Sequence, residues 1–114
     1  MSLLDLDAAY NRLFNKPVDE EGRKYWTDQY TREKETLGAK QAKENVLRDL
    51  RLQPEFKQNA ESWVTDAYDT HFGREGGEAG HEYWTNALIE GHQGKRDPVD
   101  WLNASFLNLS LIHI

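Results

Sequence analysis

The sequence predicts an all-α fold of about six helices, and three observations carry that expectation. Apolar residues recur at intervals of three and four, no useful length alternates with period two, and nearly the same seven residues occur twice, GRKYWTD at 22–28 and GHEYWTN at 80–86. Aligned without a gap, 6–27 and 64–85 keep a constant separation of 58 and share Ala9/Ala67, Tyr10/Tyr68, Phe14/Phe72, Glu20/Glu78, Gly22/Gly80, Tyr25/Tyr83, Trp26/Trp84 and Thr27/Thr85. Eight identities over twenty-two positions, several of them aromatic or Gly, are the mark of a duplicated supersecondary unit. The expected architecture is two tandem helix–loop–helix–helix repeats, about 3–56 and 57–110, packed through their Tyr/Trp faces as one domain over 1–114. The apolar tail LIHI at 111–114 is atypical of such an ending.

Each helix follows from local pattern. Leu6, Ala9, Tyr10, Leu13 and Phe14 form one stripe, which predicts a helix over about 3–15 stopped by Pro17. Asp19 is the expected N-cap of the second helix, with Glu20 and Glu21 favourably placed against its dipole. On that helix Gly22, Trp26 and Tyr30 share a face, and a Gly one turn before a Trp lets another helix approach; Gly80, Trp84 and Leu88 repeat the logic. The stretch 31–40 is polar with Gly38 as its break, and Ala42, Val46, Leu47 and Leu50 predict a third helix ending before Pro54. Phe56, Ala60, Trp63, Val64, Ala67, Tyr68, His71 and Phe72 give the strongest stripe, a central fourth helix closed by Gly73. After the second YW helix, Gly91 and Gly94 mark a turn. Asp97 and Pro98 then start a last helix carrying Val99, Leu102 and Phe106.

Composition narrows the function classes. The chain has 114 residues and a formal charge of −6, so it lacks the basic footprint that phosphate backbones or anionic lipid require, and no nucleic-acid partner is expected. No run is apolar and long enough to insert in a membrane. Cysteine is absent, which removes disulfides and thiolate metal sites while leaving the compartment open. MSLLDLDAAY has neither a basic region nor an apolar run of leader length, so export is expected to proceed without a classical cleaved leader.

The segments AAYNRLFNKPVDEEGRKYW and, less closely, DAYDTHFGREGGEAGHEYW resemble the motif Y-x-x-x-hydrophobic-x-R-x-P-D-x-x-G-x-x-Y-W. That motif typifies a bacterial and phage domain of unknown function, repeated in surface-layer proteins, hemolysin-type calcium-binding exoproteins and some virion proteins. LRLQPEF at 50–56 is similar to the helix that closes each unit in that family. A more distant similarity is to phycobilisome linker domains. The resemblance implies an interaction or assembly module at an extracellular, cell-surface or virion location. The first unit keeps Lys16, Pro17 and Asp19 of the motif, whereas the second keeps Arg74 but has Glu75 and Gly77 where the motif has Pro and Asp.

Candidate chemistries are few. The loop 15–22 lacks the alternating oxygen ligands of a calcium loop, so Asp19, Glu20 and Glu21 are expected to serve the helix start, and no metal or cofactor is expected. His71, His81, His92 and His113 contain no metal-ligand spacing; His71 is expected to be packed and hydrogen-bonded, His81 and His92 solvated. The Gly-rich GREGGEAG at 73–80 carries two Glu and follows a helix, unlike a phosphate loop. No nucleophile motif is present, and no carboxylate pair stands out among the 20 acids. Tyr10, Phe14, Gly22, Trp26, Tyr68, Phe72, Gly80 and Trp84 are the expected repeat core. Tyr25, Tyr83, Tyr30 and Trp101 are the candidate interaction surface, because large rings with a polar tip suit a protein- or sugar-binding platform. The expected function is non-enzymatic: protein interaction, with a partner or by self-association. A glycan-binding or calcium-assisted adhesion module is the alternative, and a hydrolase stands behind both.

Overall fold

Helix ends fall where capping chemistry puts them. In the computed structural model, which describes residues 6–73 and 77–112, the chain is all-α. Its six helices are α1 (Leu6–Phe14), α2 (Glu20–Leu37), α3 (Ala39–Arg51), α4 (Pro54–Phe72), α5 (Glu78–Ile89) and α6 (Pro98–Ile112). No strand occurs among the described residues. The Asp19 carboxylate accepts the Gly22 N–H at 2.7 Å and starts α2, and Gly38, at φ 89°, ends it and leads directly into α3. Pro54 occupies the first turn of α4, and Gly73 closes that helix in the left-handed region at φ 65°. The Asp97 carboxylate accepts from Val99 at 2.9 Å and Asp100 at 3.2 Å, with Pro98 at the first position of α6. The expected start of the first helix at residue 3 lies outside the described residues, as do positions 74–76 of the second loop. Residues 113 and 114 and the side chains of 110–112 lie outside them too.

The first helix ends next to Asn15 as expected: that residue is left-handed at φ 57° with its N–H on the Asn11 carbonyl at 2.8 Å, and it closes α1 before Pro17 is reached. The polar residues 31–37 continue α2 up to the expected break at Gly38, because Arg32, Glu33, Lys34 and Glu35 are good helix formers even without a core face.

One hydrophobic cluster draws on all six helices, and α4 threads it. Near its start Phe56 is fully buried, edge-on to Phe14 at 6.2 Å and to Trp63 at 5.9 Å. Near its end Tyr68 and Phe72 pack on Phe106, at 4.9 and 5.7 Å, and Trp84 reaches the same ring at 5.0 Å. Burying a side chain such as Phe56 or Phe106 contributes about 1.5–3 kcal/mol each relative to exposure. Val99, placed on the apolar stripe by spacing, is exposed instead: it lies in the first turn of α6, one turn ahead of the fully buried Leu102.

The two YW helices, α2 and α5, are not among the closely packed pairs. The closest pairings are α2 with α3, and α4 with both α5 and α6, while α1 and α3 lean on α4 and α3 on α5. Trp26 is buried in the cluster, and Trp84 packs on Phe106 and Trp101. The result is long, 51 × 24 × 22 Å, with a radius of gyration of 15.8 Å. About 13 Å is usual for this length. Polar ties cross the helix junctions: Arg23 grips Asp7 with two bonds of 2.6 and 3.1 Å, and Lys16 reaches Glu55 at 2.8 Å. Gln29 meets Asp49 at 2.8 Å, and Asn45 donates to Glu33 at 2.8 Å.

The two glycines also differ from expectation. At Gly80 the close neighbour is a side chain, the Tyr68 phenol, rather than helix backbone. At Gly22 an added Cβ would meet only the cap, Asp19 Oδ1 at 3.0 Å and Val18 Cγ2 at 3.2 Å.

Candidate interaction surface

Adjacent residues on a helix point about 100° apart, so a buried Trp turns the Tyr before it outward. This places Tyr25 on α2 at 61% exposure and Tyr83 on α5 at 63%. Each phenol ring stands perpendicular to its neighbour's indole, Tyr25 to Trp26 at 4.8 Å and 89°, Tyr83 to Trp84 at 5.1 Å and 90°. The Trp therefore limits the freedom of the ring it supports, and little side-chain entropy is lost when that ring is covered.

The other two candidate rings are placed differently. Tyr30 is buried, one turn after Trp26 on the face that α2 turns to α3, with the Lys34 ammonium 5.9 Å from its ring centre. The expectation of an exposed Tyr30 is corrected: two aromatics four residues apart are all that α2 has to bury. Trp101 is half-buried, edge-on to Trp84 at 5.7 Å, and extends the cluster around Phe106 instead of standing free. Of the core residues, Phe14 and Trp26 are buried, while Tyr10, Tyr68, Phe72 and Trp84 are partly buried against the cluster. Tyr10 lies 4.5 Å from Phe14, and burial pushes its hydroxyl pKa up.

Asp19 and the described histidines make local structural contacts. The Asp19 carboxylate is engaged as a cap, and among the described residues no group of three His, Asp or Glu is arranged to hold a metal ion. His71 is half-buried, its Nε2 3.1 Å from Asn103 Oδ1 and its ring against Phe106, and His92 is exposed beside Glu90 at 3.3 Å. His81 departs from expectation: it is half-buried and stacked flat on Tyr68 at 5.1 Å, because its face of α5 turns to α4. His113 lies outside the described residues. The displaced protonation equilibria at the surface belong to the ion pairs. The hydrogen bond from Arg23 holds Asp7 below the usual carboxylate range, and the bond to Glu55 raises Lys16.

Three exposed apolar side chains were not singled out from sequence, Leu37, Leu52 and Leu107. Leu37 and Leu52 sit at helix ends, next to Gly38 and Gln53, where a stripe has no further turn to continue it. No family model, curated protein or solved structure matches the chain. Among the described residues no helix is long and apolar enough to cross a membrane.

Proposed function

We propose that the chain is a non-enzymatic protein-interaction or assembly module of a secreted, surface or virion structure, working through Tyr25 and Tyr83. The observation that carries this is the pair of outward phenols, each more than 60% exposed and each braced at a right angle by a Trp. Tyr is enriched among the residues that anchor protein interfaces. The same reading takes 6–27 and 64–85 as two copies of one unit. Support comes from the matching Tyr–Trp pairs and from the left-handed residues that close α1 and α4, Asn15 at φ 57° and Gly73 at φ 65°.

Light scattering coupled to size-exclusion chromatography, over a concentration series, tests the proposal. Self-association that the double variant Tyr25→Ser/Tyr83→Ser abolishes without changing melting supports it. A monomer at every concentration, or association indifferent to that variant, counts against assembly through these rings.

A glycan-binding module is the second reading. It draws on a shallow hollow of about 500 Å³ on α2, bordered by Glu20, Glu21, Arg23, Lys24, Thr27 and Asp28, on the helix that carries Tyr25. A glycan array decides between the two. A calcium-assisted form of adhesion is disfavoured by the engagement of Asp19 with Gly22.

A further inference from the structure

Arg51 carries a charge that the fold half-buries without neutralising. It ends α3, and its Nε–H donates to the carbonyl oxygen of Ile89 at 3.0 Å, satisfying one of the open carbonyls at the end of α5. The guanidinium lies against Gly91, at φ 85°, where an added Cβ would come within 2.7 Å of the Arg51 Cζ. Its two Nη groups have no protein partner among the described residues, and no carboxylate there forms an ion pair with it. Burial lowers its pKa, and the charge of Arg48, one turn earlier on α3, lowers it further. In a chain with 20 Asp and Glu against 14 Lys and Arg, two neighbouring guanidiniums with one fork unpaired form an arrangement that a carboxylate would stabilise.

The surroundings define what that carboxylate is attached to. A groove of about 550 Å³ runs between α3 and the end of α5, and beside the arginines it offers Leu52, 59% exposed, and the partly buried Ile89. Glu44 and Glu90 line it too, so it suits one negative charge next to an apolar group and opposes a dianion or a run of acids.

We propose that this groove binds a single carboxylate of a protein partner, gripped by the Arg51 fork with Arg48 beside it, the partner's adjacent apolar side chain lying on Leu52 and Ile89. The proposal rests on the interaction-module reading and assigns a partner chemistry to a second face. Arg is the residue whose planar donors match a carboxylate with two parallel bonds, and half-burial strengthens those bonds relative to a fully wet pair.

The test is an NMR titration of the full chain at constant ionic strength, following the Gly91 amide and the Arg51 Nε–H. N-acetyl-leucine presents a chain-terminal carboxylate beside an isobutyl group, and N-acetyl-leucyl-glutamic acid amidated at its α-carboxyl alone presents a side-chain one. The tighter of the two identifies the source. Saturable shifts are expected with a carboxylate probe, with N-acetyl-leucinamide binding roughly tenfold more weakly. A comparable loss is expected in Arg51→Lys and in Arg48→Gln, which leaves the Ile89 bond intact. No saturable shift with either carboxylate, no effect of Arg48→Gln and Arg51→Lys, or tighter binding of inorganic phosphate would overturn it. Because the titration does not depend on self-association, its failure leaves the Tyr25/Tyr83 reading standing, and the reverse also holds.

Discussion

The phenol of Tyr68 on α4 lies across the backbone of Gly80 on α5, so close that a Cβ on that glycine would overlap its hydroxyl. The ring has little room to withdraw, because it is stacked on His81 at 5.1 Å and edge-on to Phe106 at 4.9 Å. Gly80→Ala is therefore expected to lower stability by about 1–3 kcal/mol, as overpacking does. At Gly22 the contacts are looser, and the gain in helix propensity, about 1 kcal/mol, offsets them. Urea unfolding of both variants checks this. Equal losses would show that the Tyr68 contact is not what Gly80 accommodates.

Phe106 meets four rings, Tyr68, His71, Phe72 and Trp84, and is fully buried. Phe106→Ala and Trp26→Ala are each expected to cost about 3–5 kcal/mol, whereas the exposed Leu107→Ala should stay within about 0.5 kcal/mol. Wild-type-like melting of either core variant would contradict the packing described for its half of the molecule.

The Asp7–Arg23 pair makes a prediction about acid. Its hydrogen bond favours the ionised carboxylate, so the folded pKa lies below the unfolded one, near 4. The stabilisation is then present above the unfolded value and is lost as pH falls through the folded one. Carboxyl-carbon NMR should find the Asp7 midpoint below that of an exposed aspartate, and Arg23→Gln should return it to the ordinary range. A midpoint indifferent to Arg23→Gln would remove the pair from the account of acid stability.

Caps supply the fourth prediction. Asp19 caps α2 with its side chain, but Gly77, in the same role for α5, has none to offer. Its φ of −89° and the open space around it suit an ordinary residue. Gly77→Asp should stabilise by about 0.5–1 kcal/mol, through the cap and through reduced freedom of the unfolded chain. Asn15 is the converse, left-handed at φ 57°: Asn15→Gly should cost little, and Asn15→Ala about 1 kcal/mol. Thermal melts of the three variants rank them, and a destabilised Gly77→Asp would contradict the cap argument.

What could be read from the sequence was what local chemistry decides. Asp19, Gly38, Gly73 and the Asp97–Pro98 pair set helix boundaries through bonds within a few residues, so spacing alone located them. Tyr30 and Trp101 could not be placed that way, because each is covered by a different helix and the partner is chosen by tertiary packing. Phe106 read as one residue of a stripe, and its meeting with four rings arises only where α4, α5 and α6 converge. Arg51 gave no signal at all: among 30% charged residues, a half-buried guanidinium looks like any other until its surroundings are known.

The long α2 is anchored by Trp26 and Tyr30, both in its first eleven residues, and nothing beyond Glu33 is even partly buried until α3 reaches Ala42. The end of the α2–α3 hairpin is thus an arm held by its own backbone bonds and not by the core. Such a segment opens without the rest of the molecule, so its amides should exchange first and a protease should nick it first. By the same token Gly38, exposed and with nothing within 4 Å of where a Cβ would sit, is where a foreign peptide can be spliced in with least disturbance.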